Sequence, residues 1–132
     1  MPKKSVYDTR FFVEYFYSGN SGFLRRLKED LRAVRERMVS ALTIHEIHRL
    51  SLEREGREVA ILRSETIHRD FNVVDVDYEA AVRSAELRSR CRITMADSVI
   101  AATAQIHGCP VVSDDPHFRE IEDLKTRWFT TR

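Results

Sequence analysis

The sequence predicts an α/β fold, a three-layer α/β/α sandwich around a central, mainly parallel sheet. Short runs rich in β-branched residues alternate with longer segments whose apolar residues recur at helical spacing, which is the pattern of βαβ units. The length of 132 residues fits a single domain, residues 1–132. Four glycines and three prolines favour helices joined by short loops.

The first half of the chain is expected to hold two strands and four helices. The apolar residues of each helical segment recur three or four positions apart, as one face of a helix requires. In order, we expect a strand at 3–7, a helix carrying Phe11, Phe12, Tyr15 and Phe16, a loop at 18–22, a helix carrying Phe23, Leu24, Leu27, Leu31 and Val34, a short strand at 38–41, a helix at 43–53 and, after Gly56, a helix carrying Val59, Leu62, Thr66 and Ile67. The charged residues of the second helix, Asp30 among them, are assigned to a solvated face, with a basic strip beside an RNA site as the alternative.

The second half continues the alternation. Asp77 is a predicted helix cap, and Gly108 is a predicted helix end. In order, we expect a strand carrying Val73, Val74 and Val76, a helix with Tyr78, Ala81, Val82 and Ala85 on one side, a helix opening at Asp97, a strand at 111–113 and an edge strand at Trp128 and Phe129.

The charge balance limits the classes of partner. Lys and Arg number 22 and Asp and Glu number 21, so a generically basic nucleic-acid coat is excluded and any nucleic acid must be held by a local patch or by metal ions. No apolar segment suggests a leader or a membrane span, and we expect no membrane association. Cys91 and Cys109 cannot form a disulfide framework, which favours free thiols and a cytoplasmic location.

Four acidic residues stand at the ends of predicted elements or among apolar neighbours. They are Asp8, Glu46, Asp97 and Asp115. Asp8 follows the first strand, and Asp114 and Asp115 follow the strand that contains Val111 and Val112, so these acids are expected at the carboxyl edge of a parallel sheet, where ligands bind. Each acid alone is more often a helix cap or an ion-pair partner. Together their charges would repel unless cations neutralised them, and oxygen ligands suit Mg²⁺ or Mn²⁺.

Other candidate sites are weaker. His45 and His48 flank Glu46 but lie three residues apart, whereas a zincin helix needs histidines four apart. They remain a candidate joint metal site, with ordinary helix histidines as the simpler interpretation. No serine lies in a Gly-x-Ser-x-Gly context, so a hydrolase triad is unsupported.

The acidic segments resemble the PIN-domain nucleases, and the resemblance covers essentially the whole chain. The matching segments are Val6-Tyr7-Asp8-Thr9 for the opening strand and Asp-Thr pair, Thr43 through Glu46 for the helix glutamate, Ala96-Asp97-Ser98-Val99-Ile100-Ala101-Ala102-Thr103-Ala104 for the Asp-x-x-Ile-Ala-Ala-x-Ala helix, and Val111-Val112-Ser113-Asp114-Asp115-Pro116-His117-Phe118 for the last motif. A chain this short, without added domains, looks most like a VapC-type toxin.

The resemblance implies a metal-dependent endoribonuclease with Mg²⁺ or Mn²⁺ as cofactor, acting as a homodimer that an antitoxin protein inhibits. Its catalytic and metal-binding residues would be Asp8, Glu46, Asp97 and Asp115. Its accessory residues would be Thr9, Ser113 and Asp114, and its candidate phosphate contacts would be Arg10 and His117. The alternatives are a PIN nuclease of RNA processing without an antitoxin, or an inactive PIN-like module that binds RNA or protein.

Arg10 and the Asp114-Asp115 pair are the two places where this sequence departs from the family pattern or fits it in two ways. Arg10 stands where the family usually has Asn or Ser, and a long cation there can displace a water-mediated metal contact or bind a phosphate. Asp115 fits the spacing from Ser113 and Phe118, so it is preferred to Asp114 as the fourth acid.

Overall fold

The structure is a computed structural model that describes residues 3–129. In this range the strands are β1 (Lys4–Tyr7), β2 (Glu36–Ser40), β3 (Asn72–Val74), β4 (Val111–Val112) and β5 (Thr126–Arg127). The helices are α1 (Thr9–Tyr17), α2 (Ser21–Ala33), α3 (Ala41–Glu55), α4 (Arg57–Asp70), α5 (Tyr78–Arg90) and α6 (Met95–His107), and a 3₁₀ helix covers Pro116–Glu120.

The five strands form one parallel sheet in the order β3-β2-β1-β4-β5. The strand order runs outward from β1 to β2 and β3 on one side, and to β4 and β5 on the other. The carboxyl ends of β1 and β4 therefore flank the point where the order reverses, which is where open parallel sheets bind ligands. The predicted parallel α/β/α sandwich is confirmed.

Alternating side chains of the strands face two separate hydrophobic cores, as the period of a strand requires. Val6, Met38 and Val111 lie in one core, together with apolar residues of α5 and α6. Tyr7, Val39 and Val112 lie in the other, together with residues of α1, α2, α3 and α4. The sheet is covered on both faces, so consecutive residues such as Val111 and Val112 are both buried.

Two glycines end helices as expected. Gly56 has φ of 95° between α3 and α4, and Gly108 has φ of 64° after α6. L residues with side chains rarely adopt such angles. The cap at Asp77 is also confirmed, because its carboxylate accepts a hydrogen bond from the Ala80 N–H at 2.9 Å.

Several element boundaries differ from the sequence expectation. The loop predicted at 18–22 ends earlier, because Asn20 caps the Phe23 N–H and α2 begins at Ser21. Val76 lies outside β3, which ends at Val74. Ser113 follows β4 rather than ending it, and the edge strand is Thr126–Arg127, with Trp128 and Phe129 after it.

The apolar faces assigned to two helices are also wrong in part. Tyr78 and Val82 of α5 are exposed, while Ala80, Ser84 and Leu87 are buried. Helix α5 packs on α6. On α4, likewise, Leu62 is 64% exposed whereas Ala60 and Ile67 are buried.

Asp30 is buried, not on a solvated face. Its carboxylate accepts a hydrogen bond from the Tyr7 hydroxyl at 2.8 Å and pairs with the guanidinium of Arg127, which also donates to Ser5 Oγ at 2.9 Å. Burial, followed by the charge of Asp30, raises the pKa of Tyr7. The network therefore joins α2, β1 and β5, and Asp30 is buried because it lies three residues after buried Leu27, on the apolar side of α2.

Within residues 3–129, helices are too short or too polar to cross a membrane.

Candidate functional site

Two neighbouring strands deliver the first pair of acidic residues. Asp8 comes directly after β1, and Ser113, Asp114 and Asp115 come directly after β4. The two loops meet, because Ser113 Oγ donates a hydrogen bond to Asp8 Oδ2 at 2.6 Å. The same Ser113 oxygen accepts the Asp115 N–H at 3.1 Å. Ser113 thus holds the buried Asp8 carboxylate against the loop that carries Asp115.

Helix α6 presents Asp97 from its first turn. Thr94, not Asp97, caps this helix: Thr94 Oγ1 accepts the Asp97 N–H at 3.1 Å, and α6 begins at Met95. The Asp97 side chain is consequently available to the site instead of being used as the cap. Negative charge is favoured in the first turn of a helix, where the N–H groups are unpaired.

Helix α3 presents Glu46 to the same region. Ser40, the last residue of β2, caps α3 through the Leu42 N–H. One turn further on, Glu46 Oε1 accepts a hydrogen bond from Thr9 Oγ1 at 2.5 Å. Since Thr9 is adjacent to Asp8, this contact places Glu46 beside the carboxyl end of β1.

Mutual repulsion links the four acids. The pKa of Asp8 is raised to about 7, chiefly by burial and also by the charge of Asp97, against the hydrogen bond from Ser113. Burial also raises the pKa of Asp97, and the charges of Asp115 and Glu46 add to that rise. Asp97 therefore lies close enough to the other three carboxylates for their charges to oppose its ionisation.

One histidine belongs to this cluster. Asp115 Oδ1 accepts the backbone N–H of His117 at 2.9 Å and lies 2.9 Å from His117 Nδ1. Single donor atoms of Asp97, Asp115 and His117 lie within 4.8 Å of one another. The sequence resemblance implied that His117 contacts a phosphate. Its place beside Asp97 and Asp115 was signalled in the sequence only by its position two residues after Asp115.

The donor chemistry fits a divalent cation. Crowded carboxylates whose charges oppose one another are stabilised by a bound cation, and carboxylate oxygens suit Mg²⁺ or Mn²⁺. Asp8 is only 2% exposed, and burial is the largest cause of its raised pKa. The residues present therefore fit the metal that the sequence resemblance implies.

Arg10 and Asp114 form a separate pair at the rim. Arg10 donates from Nε at 2.8 Å and from a terminal nitrogen at 3.0 Å to the two carboxylate oxygens of Asp114. The hydrogen bond from Arg10 lowers the pKa of Asp114. The structure thus places Asp115 with Asp97, and Asp114 with Arg10.

The remaining candidates lie apart from the cluster. His45 is exposed, and His48 Nδ1 lies 2.7 Å from Ser64 Oγ. Both cysteines are free, and burial raises the pKa of Cys109 to about 11. Among residues 3–129, the group at Asp97, Asp115 and His117 is the one set of three or more such donors close enough to share an ion.

A family model described as PIN domain matches residues 5–124. The chain belongs to the PIN domain family. A comparison with curated protein sequences finds no significant match. The resemblance noted in the sequence is therefore confirmed at the level of the family.

Solved structures similar to this PIN domain come from toxin–antitoxin systems. VapBC2 from Rickettsia felis, bound to a DNA fragment from its promoter, superimposes with a TM-score of 0.80 at 14% identity, over 96% of this chain and 99% of that one. A toxin–antitoxin complex from Klebsiella pneumoniae superimposes with a TM-score of 0.72 at 23% sequence identity, over 97% of this chain and 98% of that one. VapC20 from Mycobacterium tuberculosis is described as a sarcin-ricin loop cleaving toxin. It superimposes with a TM-score of 0.72 at 18% sequence identity, over 85% of this chain and 90% of that one. At these identities the likeness establishes the fold.

Proposed function

We propose that this PIN domain is a divalent-metal-dependent endoribonuclease and the toxin of a toxin–antitoxin pair. The observation that carries the proposal is the convergence of Asp8, Glu46, Asp97 and Asp115 from four separate elements at the carboxyl end of the sheet. A structural ion pair needs one acid, whereas four acids that repel one another cost stability. Four such acids at the edge of the sheet where ligands bind favour a catalytic role over a structural one.

The four carboxylates would hold Mg²⁺ or Mn²⁺ through their oxygens. When bound, the cation lowers the pKa of a coordinated water and offsets charge on the phosphate oxygens of RNA. Ser113 keeps Asp8 in place through its 2.6 Å hydrogen bond, and Thr94 fixes the first turn that presents Asp97. These contacts position the donors before substrate arrives, which reduces reorganisation during the reaction.

Glu46 is the carboxylate we assign to proton transfer. Thr9 holds Oε1 of Glu46, so the carboxylate is oriented, and Glu46 is half-buried rather than sealed in the core. It would accept the proton of the attacking water as the water oxygen bonds to phosphorus and the ribose oxygen leaves. Thr9 and Ser113 orient carboxylates in this scheme and do not themselves react.

The partners follow from the proposed role. The named relatives include complexes of a toxin with its antitoxin and a toxin that cleaves the sarcin-ricin loop, which supports RNA as substrate and an antitoxin protein as inhibitor here. Exposed apolar side chains, Leu62, Tyr78 and Met95 among them, offer surface for an antitoxin or a second copy in a homodimer. A small open reading frame next to the gene would favour a toxin over a processing nuclease.

The proposal is tested by cleavage of a mixed-sequence RNA. We expect purified protein to cleave with Mn²⁺ and not with EDTA, and Asp97→Asn to reduce the rate at least ~100-fold, since it removes a charged ligand. Asp77→Asn is the matched control: it makes the same chemical change at the α5 cap, where Asn caps equally well. Cleavage by Asp97→Asn at the parent rate, or equal cleavage in EDTA, would refute the proposed site.

Arg10 is proposed to contact an RNA phosphate. Its guanidinium side chain is 56% exposed beside the acidic cluster, so it can exchange Asp114 for a phosphate. Measured in the Asp97→Asn background by fluorescence anisotropy, Arg10→Asn should weaken RNA binding and lower the salt slope by about one. Asp114→Asn should strengthen RNA binding, because it releases Arg10 from its ion pair and removes a negative charge.

The same variant separates phosphate binding from metal binding. Removing a cation from the rim of an acidic site should leave Mn²⁺ affinity unchanged or stronger, as titrated calorimetrically. A clear loss of Mn²⁺ affinity in Arg10→Asn would show that Arg10 supports the metal site. Unchanged RNA affinity and salt slope would remove Arg10 from the substrate surface.

A further inference from the structure

We propose that His117 is itself a metal ligand, which gives this site one nitrogen donor beside its carboxylates and makes it prefer Mn²⁺ over Mg²⁺. The inference rests on the proposed function and deepens it, because it concerns which ion the same site selects. Nothing in the acidic pattern alone requires a nitrogen donor.

The imidazole of His117 lies close to two of the carboxylates proposed to bind the metal. A His117 nitrogen and one carboxylate oxygen each from Asp97 and Asp115 lie within 4.8 Å of one another. Ligands bound to one ion at about 2.1 Å lie at most about 4.2 Å apart, so small side-chain adjustments bring all three to a shared ion.

The orientation of the ring carries the second step. His117 Nδ1 lies 2.9 Å from Asp115 Oδ1, so a small rotation of the ring would let Nδ1 donate to this carboxylate and leave the lone pair on Nε2. A carboxylate that holds one ring nitrogen is the usual partner of a histidine whose other nitrogen binds a metal. Asp115 would thus fix the tautomer of His117 and still have its second oxygen for the ion.

The backbone around His117 holds it in place. Asp115 caps the 3₁₀ helix through the His117 N–H, with Pro116 as the first helical residue and Phe118 wholly buried. The imidazole is nevertheless 58% exposed, so an ion can reach it. A side chain held at its backbone and open at its tip costs little entropy to order on a ligand.

Ligand chemistry connects this position to metal choice. Mg²⁺ is bound by oxygen and keeps several waters. Mn²⁺ also favours oxygen ligands but, as a first-row transition metal, gains more from an imidazole than Mg²⁺ does. One nitrogen donor therefore adds affinity for Mn²⁺ that Mg²⁺ does not share. The consequence is a Mn²⁺ preference that depends on one side chain.

The test measures binding of Mn²⁺ alone and Mg²⁺ alone to the full chain by calorimetry, together with pulsed electron paramagnetic resonance of bound Mn²⁺. His117→Asn retains an N–H donor for Asp115 but lacks the ring nitrogen. We expect its Kd for Mn²⁺ to rise about tenfold or more, its Kd for Mg²⁺ to change much less, and the nitrogen modulation of the Mn²⁺ signal to disappear. His68→Asn, an exposed histidine on α4, is the control and should match the parent.

Each outcome separates this inference from the proposed function. Mn²⁺ bound without nitrogen modulation, with an unchanged Mn²⁺ to Mg²⁺ ratio in His117→Asn, would overturn the His117 assignment and leave the carboxylate site intact. An equal loss of affinity for both ions would reduce His117 to a positioning residue for Asp115. A parent protein that binds neither ion would overturn both proposals.

Discussion

Replacing Asp8 with asparagine is expected to abolish RNA cleavage and, without metal, to make the folded protein more stable. Cleavage should fall at least ~100-fold because a charged ligand is lost. Stability should rise because burial disfavours the ionised Asp8 carboxylate, whose pKa is raised to about 7. Asparagine keeps an oxygen that can accept the Ser113 hydrogen bond, so that contact is retained.

The pH dependence of this gain has a definite sign. The pKa of Asp8 lies at about 7 in the folded state and near 3.8 when unfolded, so the folded state binds more protons between these values and the stability of the parent falls as pH rises through that window. The gain from Asp8→Asn should be absent below about pH 4 and full above about pH 7. At roughly 1.4 kcal/mol per pKa unit, it is of the order of 2 to 4 kcal/mol.

Thermal unfolding at pH 5 and pH 8, with EDTA and with Mn²⁺, measures both effects. In EDTA the variant should melt higher than the parent, and more so at pH 8. Mn²⁺ should stabilise the parent by binding only its folded state, and the variant much less. Asp77→Asn is the control for the substitution. A variant less stable than the parent in EDTA at pH 8 would contradict the account of the buried acid.

Replacing Asp30 with alanine is expected to destabilise the fold by about 3 to 5 kcal/mol, since it leaves Arg127 with an uncompensated charge. The Arg127 side chain is 20% exposed and that of Asp30 is 3% exposed, so water cannot replace the lost partner. The Tyr7 hydroxyl loses its acceptor as well. The loss should be visible in urea unfolding as a lower midpoint with an unchanged slope.

Asp70→Ala is the matched control for that loss. It removes an acid from the Arg69 pair, whose side chains are 73% and 39% exposed, and such a surface pair contributes at most about 1 kcal/mol. A midpoint for Asp30→Ala close to that of Asp70→Ala would mean that the buried network contributes no more than a surface pair.

The loops that carry Asp8 and Asp115 were predictable because the signal is local. Each acid directly follows a β-branched run, and the rule for parallel sheets then brings them to one edge. The sequence predicts a helix that opens at Asp97, whereas Thr94 caps this helix and Asp97 lies in its first turn. The Thr-x-x-Asp spacing fits a helix start and could have shown this.

The features that the sequence did not predict depend on contacts between distant parts of the chain. Arg10 and Asp114 are 104 residues apart, and Asp30 and Arg127 are 97 apart, so neither pair can be read from spacing. The spacing predicts Tyr78 on the same apolar side of its helix as Ala81, Val82 and Ala85, yet Tyr78 is 86% exposed. Which face a helix buries depends on the element packed against it, and α5 packs on α6 with Ala80, Ser84 and Leu87 buried.

The central claim is that the carboxylate cluster binds a divalent cation and cleaves RNA only when it does. The most direct measurement titrates one protein sample with Mn²⁺ and follows both bound Mn²⁺, by electron paramagnetic resonance, and the rate of RNA cleavage. The account predicts that the rate rises in proportion to occupancy and that Asp97→Asn shows neither signal over the same range. Cleavage that proceeds at zero occupancy, or full occupancy of the site without cleavage of any RNA, would contradict it.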